Sequence, residues 1–290
     1  MSGQYNHELK LERAREHLVS LDAEWQRWRE GEPYSFVHEP DANTGEYVVR
    51  VHISEQPPAK FALIVGDCIH NIRSALDNLV YELAVAYLDI GPIPEGRARG
   101  LAFPVFGGRA MKEWECRNKI GCIDPRAQAV IKELQPYKRG DDFASDLLWM
   151  INQLSNVDKH RLPHVQLILP AGGVFTAESL LFIRNVRSTF ESGPVEHGAE
   201  MARYVRSADV PDAEMHLHYN PLLSIGFGDR LPIVKHRSVF ILRRLMCNSS
   251  QRRRSPDRML HQTLSKGWCG HGSGLLLSLI VRPNRRLVEA

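Results

Sequence analysis

The spacing of apolar residues along this 290-residue chain changes to a strand-like alternation after Pro163, and that change limits the folds open to it. Before it, apart from one short extended excursion, apolar positions recur at helical intervals; after it, they alternate in the manner of strands. Leu9, Leu11, Leu18, Leu21, Trp25 and Trp28 predict an amphipathic helix from Tyr5 to Glu30, ended by Gly31 and Pro33. Two extended runs, YSFVHE and EYVVRVHIS, follow with Pro-Asp-Ala-Asn-Thr-Gly between them, which suits a hairpin-like connection. A second long helix is expected from about Lys60 to Leu88, and the stretch from there to Gly108 reads as loop. Shorter helices at Met111 to Cys116 and Pro125 to Leu134 lead to a third strong one from about Asp142 to His160. Pro163 disfavours helix at Leu162. Beyond it, HVQLIL, SLLFIRNVRSTF, EMARYVRS, EMHLHY and LPIVKHRSVFIL read as strands of an antiparallel sheet.

Helices followed by strands make an α+β fold, with an N-terminal helical portion, a small β excursion and a C-terminal antiparallel sheet. The expected organisation is one integrated domain over residues 1–240, helical to 162 and sheet from 163, followed by a tail at 241–290. Charge separates body from tail: residues 231–290 hold 12 Lys and Arg against Asp257 and Glu289, whereas the first 230 carry a net charge of −7. That basic, Arg/Ser/Gly-rich end reads as an arm for phosphates, as a solvated tail, or as translation out of frame in a GC-rich gene.

Composition is that of a globular protein, 43% hydrophobic and 24% charged. The apolar run Gly272 to Val281 falls far short of the roughly 20 residues that span a bilayer, and MSGQYNHELKLERAREHL lacks a signal core. A cytoplasmic location and no membrane partner are therefore expected. Five scattered cysteines without a C-x-x-C pair fit a reducing compartment.

Within GDCIHNIRSALDNLVYELA, at about 100° per residue, Ile69, Ile72, Leu76, Leu79, Val80 and Leu83 make a core face. The opposite side gathers Asp67, His70, Asn71, Ser74, Asp77, Asn78 and Tyr81, with Arg73 at its margin. These short hydrogen-bonding groups suit a packed interface better than a solvated face. The helix ending in NVDKHR supplies a partner, because Leu147, Ile151 and Leu154 continue at i+4 to Asp158. Asp158 is therefore expected to point inward and to need a cation, for which His70, Arg73, His160 and Arg161 are the candidates, with Lys159 beside them.

The pair GD-x-x-HN-x-RSALD and N-x-DKHR resembles a group of bacterial proteins with no activity to carry over. More remotely, helices bearing polar Asn, Asp, His and Arg resemble the HEPN superfamily of helical proteins, many of them metal-independent ribonucleases. The resemblance covers Lys60 to Arg161. It implies RNA as partner and a site between two helices. The family's Arg and His, separated by four to six residues, would here be Arg230 and His236, but Pro232 lies between them; Arg73 with His70, or His160 with Arg161, would have to serve. In such a site His70 and His160 would act as acid and base, Arg73 and Arg161 would hold phosphate, and Asp158 would orient an imidazole.

Two other readings use the same residues. One is a non-enzymatic interaction or ligand-binding protein, its partner another protein or a second copy, in which they form a structural polar lock. The other is a metal-dependent hydrolase with His70, Asp158 and His160 as ligands. His216 and His218 share a strand face but lack a third ligand. No phosphate-loop or dinucleotide glycine spacing occurs, VFGGRAMKEWE reading as a turn and N-cap, so no cofactor is indicated.

Overall fold

The computed structural model describes residues 5–89, 93–162, 165–169, 174–175, 182–190, 193–207, 219–220 and 223–227. The fold is α+β, with helices and antiparallel strands. Its contacts divide it into two compact units, one holding the described residues of 1–20 and 63–163, the other those of 21–62 and 164–239. Helix α1 (Asn6–Glu30) and helix α2 (Lys60–Leu88) each contribute to both.

In the second unit, β1 (Tyr34–Pro40) and β2 (Tyr47–Ile53) form the expected antiparallel hairpin, with Tyr34 opposite Ile53 and Pro40 opposite Tyr47. Gly45, at φ 70°, supplies the left-handed turn residue. Two of the later strands extend this hairpin. β7 (Glu200–Arg206) pairs with β2, and β5 (Ile183–Ser188) pairs with β7, giving one four-stranded sheet ordered β1-β2-β7-β5. Val49, Val51, Ala202 and Tyr204 are buried, and Trp28 packs on Tyr34 and edge-on to Phe61. Arg203 ties the sheet together, donating to Asp41 at 2.8 Å and to both carboxylate oxygens of Glu200 at 2.7 and 2.9 Å. A smaller sheet places β3 (Val165–Leu169) between β6 (Gly193–Pro194) and β9 (Ser224–Phe227), and β4 (Val174–Phe175) pairs with β8 (Tyr219–Asn220). Gly226 lets β9 meet β3 closely, since a Cβ there would lie 2.5 Å from Ile168 Cγ2.

The first unit is helical. One turn, α3 (Glu95–Ala98), interrupts the expected loop. α4 runs from Glu113 to Ile120, later than the expected Met111 to Cys116, because the Lys112 N–H closes on the Glu115 carboxylate at 2.8 Å and makes Lys112 the cap. α5 (Pro125–Glu133) starts from an Asp124 cap with proline at its first position. The expected helix from Asp142 to His160 is shorter. Residues Pro136–Ser145 form a 3₁₀ segment broken at Gly140, and α6 (Leu147–Asp158) begins where Asp146 accepts the N–H of Leu148 at 2.9 Å. The core joins Leu76, Val80, Phe103, Ile120, Ile123, Ile131 and Leu148.

Between α3 and α4 runs Leu101 to Gly107, which has no regular structure although Leu101, Phe103, Pro104 and Gly107 are buried. Gly107 is required where it stands: a Cβ would meet the Phe143 ring at 2.6 Å and the Trp149 ring at 2.8 Å. The first glycine of VFGGRAMKEWE thus serves packing, whereas a Cβ at Gly108 would make only ordinary contact with Phe143. Among the described residues no helix is long and apolar enough to cross a membrane.

The strands expected at EMHLHY before Tyr219 and at LPIVKHRSVFIL, the His216/His218 pair and the basic tail at 241–290 lie outside the described residues.

Candidate functional site

Buried backbone must be hydrogen-bonded, so the irregular Leu101 to Gly107 segment poses an accounting problem that side chains solve. Asp77 accepts the Phe103 N–H at 2.9 Å, and Arg73, one turn earlier on α2, donates to the Phe103 carbonyl at 2.7 Å. Arg73 also donates to Asp77 at 2.9 Å, closing a ring around one residue. Gln135, only 2% exposed, takes the next residues: its amide nitrogen donates to the Pro104 carbonyl at 2.9 Å and its oxygen accepts the Phe106 N–H at 3.0 Å. Backbone completes the set, with Ala102 N–H on Lys119 O and Tyr137 N–H on Phe106 O. The polar side of α2 therefore grips a neighbouring chain segment.

The Arg73 Nη1 is buried and has no partner among the described residues. Burial pulls the guanidinium's affinity for its proton below the ordinary value, and the Asp77 charge offsets part of this. Arginine stays charged nonetheless. Asn71, also buried, donates within the helix to the Asp67 carbonyl at 2.8 Å. Cys68 is buried against the Ala14 carbonyl; burial foremost, and the nearby Asp67 charge, push its thiol up to about 12, which removes it as a nucleophile.

Asp158 differs from expectation. Its carboxylate does turn toward α2 and rests against Gly66, where a Cβ would fall 2.3 Å from its Oδ1. It is only half-buried, however, and makes no ion pair among the described residues. The missing side chain at Gly66 leaves a notch that admits the carboxylate while part of it keeps its water, so no cation is needed. Arg73, one of the four expected partners, is held by Asp77 instead. Lys159, His160 and Arg161 lie past the last turn of α6, all exposed. Asp67 and His70 are exposed, Ser74 is half-buried with its hydroxyl 3.5 Å from His70 Nε2, and Asn78 is half-buried. Arg73 and Asp77 are thus brought together; among the described residues the two imidazoles form no hydrogen bond or ion pair with each other or with Asp158.

Two constellations escaped the sequence pattern. Glu82, on α2, accepts the Asn6 N–H at 2.8 Å at the start of α1 and binds Nδ1 of the buried His7. Glu115, 7% exposed, takes both guanidinium arms of Arg109 at 2.8 and 2.6 Å, and that cation with the Lys112 N–H holds its carboxyl down at about 2. In the sequence these acids look like solvated helix residues; only the contacts mark them.

For the metal reading, no group of three His, Cys, Asp or Glu side chains among the described residues is placed to share an ion. In the second unit, a cleft of about 290 Å³ lies between Glu24, Trp28, Glu55 and Phe61, where Glu24 holds Lys60 at 2.7 Å and Arg27 at 2.6 Å. Comparison with protein-family models, with curated proteins and with solved structures found no match.

Proposed function

We propose that this chain is a non-enzymatic binding protein in which the polar residues of α2 are structural. The observation that carries this reading is the engagement of Arg73 and Asp77 with the two ends of one buried residue, Phe103. A phosphoryl-transfer site needs a cation free to meet the developing charge. Arg73, one of the two arginines expected in that role, has its Nη2 committed to protein oxygens.

The ribonuclease reading, by analogy with HEPN proteins, is favoured only by the exposure of His70, His160 and Arg161. Incubating the purified full chain with mixed-sequence RNA, with and without EDTA, separates the two. Intact RNA is expected throughout. Cleavage that His70→Ala or His160→Ala abolishes would restore the nuclease, and cleavage that EDTA stops would restore the metal hydrolase.

A further inference from the structure

Trp114 is 59% exposed on α4, an unusual place for the largest side chain. The helix packs Glu115, Cys116 and Ile120 inward, so Trp114 stands on the outer face. At about 100° per residue, Arg117 and Asn118 share that face within roughly 100° of it. Both are exposed. The turn α3 brings two further cations alongside: the Arg97 Nε donates to Cys122 Sγ at 3.0 Å just past α4, and Gly100 sits 3.3 Å, measured from its would-be Cβ, from the Asn118 carbonyl. Arg99 carries an exposed pairing to Glu95 at 2.5 Å, with Arg99 76% and Glu95 79% exposed, which water screens enough to leave the arginine exchangeable. Glu113 is exposed one turn before Arg117, and among the described residues the two form no ion pair, while Glu115 faces inward.

From this juxtaposition we infer that the outer face of α4 with α3 is a binding surface for single-stranded nucleic acid. Trp114 is the platform for one base, and Arg97, Arg99 and Arg117 neutralise flanking phosphates. Base-to-aromatic stacking needs an open ring face and no sequence code, and phosphate contacts need cations spaced along a backbone. A protein partner fits less well, because the exposed residues that share the outer face of α4 with Trp114 are Arg117 and Asn118 rather than the apolar rim that surrounds a buried interface anchor. The inference names the partner of the binding protein proposed above and rests on that reading.

The test is fluorescence anisotropy of a labelled, mixed-sequence 12-nucleotide RNA titrated with the full chain at 50 mM and 200 mM salt. Trp114→Ala is expected to weaken binding about tenfold. Trp114→Phe should retain most of it, and Arg97→Gln with Arg117→Gln should flatten the salt dependence. The same sequence as a duplex should bind less well, its bases being stacked already. Gel analysis of the RNA after each titration distinguishes the failures: consumed RNA overturns the non-enzymatic reading, whereas intact RNA that does not bind overturns this surface alone. Binding that the Trp114 and arginine variants leave unchanged, with their melting temperatures intact, would place the contact elsewhere and overturn it too.

Discussion

Asp77 accepts the backbone N–H of Phe103 at 2.9 Å, across 26 residues of sequence, and so supplies the hydrogen bond that a strand partner would otherwise provide. Arg73 does the same for the Phe103 carbonyl. A buried segment without regular structure is held by two side chains from one helix, and Gln135 continues the arrangement at Pro104 and Phe106.

Gln135→Leu keeps the volume and removes both halves of the amide. The Phe106 N–H and Pro104 carbonyl then lose their partner, at a cost of about 2–3 kcal/mol in unfolding free energy measured by urea denaturation. Conserving shape should not rescue it, because the loss lies in the polar groups left behind.

Gly66 and Asp158 should show coupling. In the middle of α2, Gly66→Ala should stabilise by about 1 kcal/mol on helix propensity alone. The Asp158 carboxylate occupies the space its methyl would fill and has to swing away. A double-mutant cycle should find Gly66→Ala about 1 kcal/mol more favourable in an Asp158→Ala background than in the wild type. Asp158→Ala by itself should cost under about 1 kcal/mol, since no ion pair is broken.

Glu115 ties acid stability to the entry of α4. Its folded carboxyl sits at about 2 against an ordinary 4.5, held down first by Arg109 and then by the Lys112 N–H. A group lowered on folding stabilises the protein above its unfolded value and loses that contribution as pH falls toward the folded one. The melting temperature should therefore drop between about pH 5 and pH 2. In Glu115→Gln that slope should be shallower, and the variant should already be less stable at pH 7.

Cys68 should resist alkylation. With its thiol pushed up to about 12 and buried beneath α1, it should stay unmodified by iodoacetamide at pH 8 in the folded protein. Peptide mass spectrometry should find it labelled only after denaturation.

The limits of α1 and α2 were legible in the sequence because their apolar spacing is long and their stops are Gly31 with Pro33 and the Gly91 to Pro94 run. The start of α6 was not. Asp142 and Asp146 are both capable caps, and the choice depends on the kink at Gly140, which has a φ of 59°. Nor could local alternation reveal that β7 adds to β2: period two tells which face a residue occupies and not which strand it meets. Among the candidate residues, the unusual polar side of α2 was visible, and so was the turning of Asp158 toward that helix. The partner of Arg73 and Asp77 was hidden because it is main chain, which every residue carries and no side-chain pattern marks. Gln135 and Glu115 were missed for a related reason: a polar residue gives no sequence sign of being buried.

The role of the α2 polar face turns most directly on Asp77. Thermal and urea unfolding of Asp77→Ala at pH 7 should show a loss of about 2–3 kcal/mol, from the orphaned Phe103 N–H and the half-freed Arg73, with hydrogen exchange at the Phe103 amide accelerated relative to the α2 core. An Asp77→Ala protein that melts and exchanges like the wild type would contradict the structural role assigned to this face.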